Sequence, residues 1–514
     1  MAAPKLSTVN HYEELNTEHA DALIVIGDQF SQLPQGLQND IRTAQQADER
    51  VGRSAQLIIS PSAPGQRLIV APTGPLDRDY DDVRRFYDAA RQATQIAVQA
   101  GARNIAVLVA DVPQATQFKN AVAVSVLGIC QELYEPLEAR EHFGEDIEPV
   151  SELIVIGEAV DTQWLAAIEA GRRAGRDLCG SEPERMSPIR FAEYCQDIFA
   201  GTSVKVTVID DRMQLQHEYP LLAAVGRASF NTPRQRPCVI RLEYTGSGEI
   251  TDSLFMVGKA ITFDTGGADL KTGGHMAGMS RDKGGAAGVA AFVKAVAELQ
   301  PSHLKVVAEI GAARNSIGSD AFVSDEIITA RSGVRVRIGN TDAEGRLAMA
   351  DCLAKLRDEA TTAVNPSLYT VATLTGHAAL SKGPYTALVP NAAAQGSGLV
   401  QRLMDASESW ADPTELSPSR REDFDFVRGR TKADDLLSSN NGPSATTKRG
   451  HQFPMAFLTI VSGLDKHGKN SAQPLPYTHV DIAGSGVDTG DWQHGKPTAT
   501  PLLAFAGCFL ETLF

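Results

Sequence analysis

The chain has 514 residues, 43% of them hydrophobic and 22% charged, with a formal net charge of -15 and a sequence pI near 5.3. That length exceeds one ordinary core and predicts two or three domains, while near-average charge, Gly and Pro usage excludes a disordered or fibrous chain. An acidic surface repels phosphate backbones, which disfavours sequence-independent nucleic-acid binding, and it attracts divalent cations.

The first residues, MAAPKLSTVNHYEELNTEHA, contain no apolar signal region, and no uninterrupted apolar run reaches membrane-spanning length. A cytoplasmic protein without a membrane partner is expected. Cys130, Cys179, Cys195, Cys238, Cys352 and Cys508 are scattered without CxxC spacing, which predicts reduced thiols rather than a disulfide framework or a zinc ribbon.

In chain order, residues 22–26 (ALIVI) read as a short buried strand ending at Gly27-Asp28. Val83, Phe86, Ala90, Ala93 and Ala97 recur at three- and four-residue steps and predict a helix that stops before Gly101. Residues 105–110 and 153–157 are further buried-strand runs, so the first third reads as an α/β domain with a largely parallel sheet. A helix pattern over 161–175 is then broken by SEPERMSP with its two prolines. The expected organisation is an N-terminal α/β domain over 1–160, a connecting helix and linker over 161–188, and a catalytic domain over 189–514.

The second region alternates again. Strands are predicted at 255–263, 305–310, 369–374 and 478–482, and a helix at 282–299. A polar stretch over 412–452 is predicted to be loop-rich, and serves either as a functional segment or as a plain surface excursion.

The segment MVGKAITFDTGGADLKTGGHMAGMSRDKGGAAG, residues 256–288, is the most informative. Lys259 interrupts an apolar strand, where a charged amine needs a reason. Asp264 ends that strand before Thr265-Gly266-Gly267, Lys271 lies past the turn, and Asp282 stands at the mouth of the next helix. Ligands of open α/β sheets gather at the carboxyl ends of strands, where Asp264 would project. In IGNTDAEGRLAMAD, residues 338–351, Asp342 and Glu344 would share one side of an extended backbone, and a turn at Gly345 would bring Arg346 alongside. Leu347, Ala350 and Leu353 begin an apolar helical face.

Each residue alone has a plain explanation. Lys259 fits a snorkelling edge residue, Asp264 a turn former, Asp282 a helix cap, and DAEGR a solvated acidic turn. Their coincidence in Gly-rich turns at predicted strand ends argues otherwise. Clustered without compensation, some of the four carboxylates would have to stay protonated, whereas two divalent cations would balance them. Oxygen ligands suit Mg²⁺ and Mn²⁺ and admit Zn²⁺ or Co²⁺, and two such ions can activate a water while polarising a carbonyl. HExxH, Walker A and GxSxG motifs are all missing from the sequence.

These two segments resemble the leucyl aminopeptidase (cytosol aminopeptidase) family. NTDAEGRL at 340–347 is that family's signature, and VGKxITFDxGG with Lys271, Met279 and Asp282-x-Gly-Gly matches its other metal-binding block. Weaker likeness extends to AGRDL (174–178), LLAAVGRAS (221–229), VATLTG (371–376) and HVDIAG (479–484). The resemblance implies a small N-terminal α/β domain joined by a helix to a larger catalytic α/β domain with a mostly parallel central sheet, assembled as a homohexamer. It implies hydrolysis of the N-terminal residue from peptides with a free N-terminus by a two-metal-activated water.

By the same resemblance Lys259, Asp264, Asp282 and Glu344 hold one metal, and Asp264, Asp342 and Glu344 hold the other. Lys271 steadies the developing oxyanion, and Arg346 holds a bicarbonate acting as general base. Thr373, Leu374 and Gly376 match the stretch lining the substrate cleft, and Met279 a wall of the pocket for the N-terminal side chain. The chain departs from the family pattern between Ala433 and Phe457, which is longer and more basic here, and in HGKPTATPLLAF at 494–505. A catalytically silent binding protein is the chief rival, and the fully occupied ligand set counts against it. A second role in DNA binding is opposed by the net acidity.

Overall fold

The computed structural model describes residues 4–144, 147–157 and 160–511. It divides into two compact units, Met1–Ala170 with Ala406–Ala411, and Gly171–Asp405 with Asp412–Phe514. The boundary falls within the helix Thr162–Gly180.

In the first unit β1 (Lys5–Val9), β2 (Ala22–Gly27), β3 (Gln56–Ile59), β4 (Arg67–Pro72), β5 (Asn104–Val109) and β6 (Glu152–Ile156) form one sheet, ordered β1-β6-β5-β2-β4-β3. All pairings are parallel except β3 on β4. Every residue of β2 is buried, as expected of a parallel strand covered on both faces. The helix Arg84–Gln99 buries Phe86, Ala90, Ala93 and Ala97, the stripe visible in the sequence. It ends where Gly101 takes φ +78°, a left-handed conformation that glycine adopts without steric cost.

The second unit contains β7 (Lys205–Ile209), β8 (Cys238–Thr245), β9 (Asp252–Asp264), β10 (Leu304–Asn315), β11 (Ile327–Thr329), β12 (Arg335–Arg337), β13 (Pro366–Ala372), β14 (Thr386–Pro390), β15 (Thr414–Leu416), β16 (Leu436–Leu437) and β17 (Tyr477–Asp481). Its main sheet has the order β15-β14-β17-β13-β9-β10-β8-β7, and β11-β12-β16 form a small separate one. β17, β13, β9 and β10 run parallel through the centre, while β14, β8 and β7 join antiparallel. The chain is thus mixed α/β with mostly parallel sheets.

Glycines set the layer spacing. A Cβ on Gly258 of β9 would lie 2.5 Å from Ala286 Cα, and one on Gly285 would lie 2.1 Å from Val371 O, so the helix Gly284–Leu299 can rest directly on β9 and β13. On Gly311 of β10 a Cβ would meet Ala348 O at 2.4 Å, which seats the helix Glu344–Ala360. Gly311 pairs with Lys259 rather than Gly258, and neighbouring strand residues face opposite ways, so the two helices cover opposite faces. β9 is therefore enclosed on both faces and both edges.

The predicted strands and helices occur, with differing ends. β9 and β10 run several residues past the expected limits, and β13 stops at Ala372. The antiparallel strands β7, β8 and β14 were not anticipated. The stretch 412–452 holds β15, the helix Arg421–Phe426, β16 and a 3₁₀ turn at Ser444–Thr446, elements too short to show a hydrophobic period. Among the described residues no helix is long and apolar enough to cross a membrane, and the six cysteines are free.

Fully buried Asp351 braces this unit from the helix Glu344–Ala360. One oxygen accepts the Leu221 N–H and the other the Arg331 N–H, both at 2.8 Å. Asp351→Ala would orphan the buried Leu221 N–H, at a cost of ~1–3 kcal/mol, and release the part-buried Arg331 N–H at a smaller one. A loss of roughly 2–4 kcal/mol is expected in urea unfolding, with a smaller one for Asp351→Asn, which keeps one acceptor. An unshifted midpoint for the alanine variant would show that these donors find other partners.

Candidate metal centre

The carboxyl end of β9 is where the sequence-predicted residues meet. Asp264 is its last residue and pairs with Asn315 at the end of β10. Asp264 Oδ1 accepts the Gly266 N–H at 2.9 Å and an Asn315 Nδ2–H at 2.8 Å, leaving Oδ2 toward Lys271 Nζ, 3.0 Å away. Lys271 also pairs with Asp342. Ligand oxygens of Asp264, Asp342 and Glu344 all lie within 4.8 Å of one another.

Glu344 extends the cluster to the other lysine. Lys259 Nζ stands 2.9 Å from Glu344 Oε1 and 2.7 Å from Asp282 Oδ2, and donates to Thr373 O at 3.0 Å. Asp282 Oδ1 accepts the Thr373 hydroxyl at 2.8 Å. Lys259 is 3% exposed and so is no snorkelling edge residue. Its stem runs under the first turn of the helix Glu344–Ala360, where a Cβ on Gly345 would meet Lys259 Cε at 2.5 Å.

Three local expectations are corrected. Asp342 and Glu344 do not sit in extended backbone: Asn340 accepts the Asp342 N–H and starts a 3₁₀ turn over Thr341–Ala343, and Glu344 opens an α-helix. The two acids still converge, because turn and helix replace strand alternation. Gly345 lies inside that helix and makes no turn. Asp282 is no helix cap either, for the helix begins at Gly284 and both carboxylate oxygens of Asp282 are directed to Thr373 and Lys259.

The electrostatics follow from this crowding. Burial, and then the neighbouring charges of Glu344 and Asp264, push the Asp282 carboxyl well above its usual range despite Lys259. Glu344 is raised by burial and by Asp264, and Asp342 is pushed up to about 7 for the same two reasons. Burial works against a charged Lys259, but Asp282, Glu344 and Asp264 outweigh it and hold the amine protonated. Lys271 is shifted the same way, with Asp264 and Asp342 overcoming its burial.

With all four acids ionised, their charge would exceed that of the two ammonium groups. Among the described residues Glu344 Oε2 accepts no hydrogen bond, and Asp282 Oδ2 faces Lys259 only as an ion pair. Oxygen donors gathered this closely with a lone pair to spare fit hard divalent cations.

Arg346 is 2% exposed and lies beside this group. It donates to Ser438 O at 2.8 Å, its guanidinium carbon sits 4.9 Å over the Phe453 ring, and its Nε is buried without a partner. Burial lowers its pKa to about 10 against the opposing pull of Glu344 and Asp481. Thr373 reaches the cluster directly, and Leu374 is fixed by Asp481 Oδ1, which accepts its N–H at 3.1 Å. Gly376 is exposed and donates to Ser444 Oγ at 3.2 Å, while half-buried Met279 begins the 3₁₀ turn that delivers Asp282 and accepts the Asp282 N–H at 3.3 Å.

Sequence reading missed the supports. Asn315 Nδ2 bonds both Asp264 and Thr341 O, at 2.8 and 3.1 Å. Asp269 Oδ2 accepts the Thr341 N–H at 2.7 Å, and Thr341 Oγ1 donates to Gly266 O at 2.7 Å, so the turns bearing Asp264 and Asp342 are stapled together. The signal for Asp269 was its place between Gly267 and Lys271; Asn315, at the end of an apolar strand, gave the same kind of signal as Lys259.

Comparison with known proteins identifies the family. The profile of the cytosol aminopeptidase family, catalytic domain, matches residues 173–505. A Caenorhabditis elegans protein named as aminopeptidase W07G4.4 is 44% identical over 442 residues, 85% of this chain and 84% of its own length. A Roseiflexus castenholzii protein named as a cytosol aminopeptidase is 29% identical over 463 residues, covering 87% of this chain and 86% of its own. The fold is shared with a variant of tomato leucine aminopeptidase, at a TM-score of 0.79 and 20% identity over 99% of this chain and 97% of that one. The chain therefore belongs to the cytosol aminopeptidase family and is a metallo-aminopeptidase, a hydrolase that acts on peptides.

Proposed function

We propose that the chain is a two-metal, leucyl-type aminopeptidase whose catalytic part is residues 189–514. The observation that carries this reading is the meeting of Asp264, Asp342 and Glu344 within 4.8 Å, with Lys259 joining Glu344 to Asp282. Lys259, Asp264, Asp282 and Glu344 would hold one ion, and Asp264, Asp342 and Glu344 the other. When bound, such a pair activates a water and polarises the scissile carbonyl, and Mn²⁺, Mg²⁺, Co²⁺ or Zn²⁺ suits the donor set.

The chain's own residues do the rest. Lys259 can ligate only as the neutral amine, so its proton must leave when an ion enters, and metal affinity falls as pH falls. Lys271, placed between Asp264 and Asp342, supplies a fixed positive charge for the oxygen that becomes negative in the transition state. Arg346 would hold bicarbonate, since its unpaired Nε and planar fork suit a trigonal oxyanion. When bound, that anion supplies a general base near the water. Thr373, Leu374 and Gly376 would line the substrate cleft, with Met279 beside the N-terminal side chain. The family resemblance further supports a cytoplasmic homohexamer.

Chelation is expected to abolish amino-acid release from dipeptides, and Mn²⁺, Co²⁺ or Zn²⁺ to restore it. N-acetylated peptides should be poor substrates while C-terminally amidated ones remain good; equal cleavage of blocked and free peptides would refute the exopeptidase assignment. Lys259→Arg keeps a cation that cannot ligate, and elemental analysis should find about half the metal per chain, whereas full occupancy would remove Lys259 from the ligand set. Arg346→Ala should retain both ions and slow turnover by roughly the 10²–10⁴ of a lost general base, with bicarbonate accelerating the wild type more than the variant. Metal loss would make Arg346 structural, and unaltered turnover a bystander.

A further inference from the structure

Trp492 is half-buried on the loop after Asp488–Gly490, unlike Trp164 and Trp410, which are buried with ring centroids 4.3 Å apart. Its position is fixed at both ends. A Cβ on Gly278 would lie 2.9 Å from the Trp492 backbone carbon, carbonyl oxygen and Cβ, so the loop fits over the start of the Met279 turn only because residue 278 is glycine, at φ +86°. At the other end, indole Cη2 lies 3.5 Å from where a Cβ on Gly486 would stand, and Thr373 Cγ2 lies 3.5 Å from the same point. The side chain thus spans from the Met279 turn to the neighbourhood of Thr373, the residue whose hydroxyl bonds Asp282.

The loop is also clamped. Arg281, buried and adjacent to Asp282, donates to Asp491 O at 3.3 Å and Gly495 O at 2.5 Å. Asp491 Oδ1 accepts the N–H groups of Gln493 and His494, both at 3.0 Å. An indole left partly in water is apolar area that a ligand can cover, and one held by a buried guanidinium offers that area at little further entropic cost.

We infer that Trp492 is a specificity-determining wall of the subsite for the side chain of the substrate's N-terminal residue, selecting peptides that begin with a large apolar residue such as Leu, Met or Phe. This rests on the leucyl-type reading above, in which Met279 stands beside that side chain and Thr373 lines the cleft. A methylene more or less against an apolar wall changes discrimination by roughly 10–200-fold.

The test measures kcat/KM for alanyl, leucyl and phenylalanyl amides on the metal-loaded enzyme. Trp492→Ala should lower the Leu/Ala and Phe/Ala ratios by about tenfold or more, and Trp492→Phe should recover most of that loss. An unchanged ratio, or one that rises because a plug has been removed, would overturn the wall. Tryptophan emission gives a second readout independent of turnover: L-leucine should perturb the wild type, and the response should vanish in Trp492→Phe. Failure to cleave any free-N-terminus substrate would sink the aminopeptidase reading, while the emission response would still judge Trp492. A wild type whose emission ignores L-leucine would overturn the inference.

Discussion

Buried Asp264, Asp282 and Glu344, with Asp342 at the solvent-exposed edge of the same group, set the condition to which the rest of this unit answers. Burial first, and then the like charges beside them, push Asp282, Glu344 and Asp342 upward, while the same carboxylates hold both lysines protonated. An arrangement of this kind is a poor stability device, because unpaired buried charge costs more than it returns. It persists because the surroundings over-determine it. Asn315 fixes one oxygen of Asp264, Thr373 one of Asp282, and the Asp269–Thr341 staple fixes the turn that carries Asp342. The oxygens left over are those directed at the lysines and at each other.

The packing explains how such a group can be buried at all. β9 carries its apolar run between parallel neighbours and under helices on both faces, so Asp264 emerges at the closed end of a rigid layer. Gly258, Gly285 and Gly311 bring the helices close enough to aim Asp282 and Glu344 at the same place from opposite sides. Gly345 leaves a channel for the Lys259 stem, which reaches the cluster from within the strand. A side chain at any of these positions would move a charged group.

Much of this was legible in the sequence, and the limits have physical causes. The buried runs of β2, β5, β6, β9 and β10 announce themselves because parallel strands covered on both faces are continuously apolar. A lysine inside one of them, and acids in the glycine-rich turns after it, are visible without coordinates. The geometry of Asp342 and Glu344 was misread because a single hydrogen bond from the Asp342 N–H to Asn340 Oδ1 starts a turn where extended backbone was expected, and alternation cannot register that. Asn315, Asp269 and Asp481 were missed as supports because their partners lie 51, 72 and 107 residues away along the chain. Only folding brings such pairs together.

The stretch 412–452 shows most clearly how a loop-rich sequence becomes part of a site. Ser438 O accepts from Arg346, Ser444 Oγ accepts from Gly376, and a Cβ on Gly339 would fall 1.7 Å from Ser439 O, so the segment lies hard against the turn before Asn340. Further on, His451 Nδ1 bonds His377 Nδ1 at 2.7 Å and His451 Nε2 bonds Ser417 Oγ at 2.6 Å. Burial and the adjacent His377 lower the His451 pKa to about 3, so this link is a neutral one that does not switch near pH 7. Those contacts attach the segment to Arg346 and to the proposed cleft wall, not to the carboxylates. Sequence change there can therefore reshape how substrate is held while the charged cluster, fixed by β9, β10 and two helices, stays as it is.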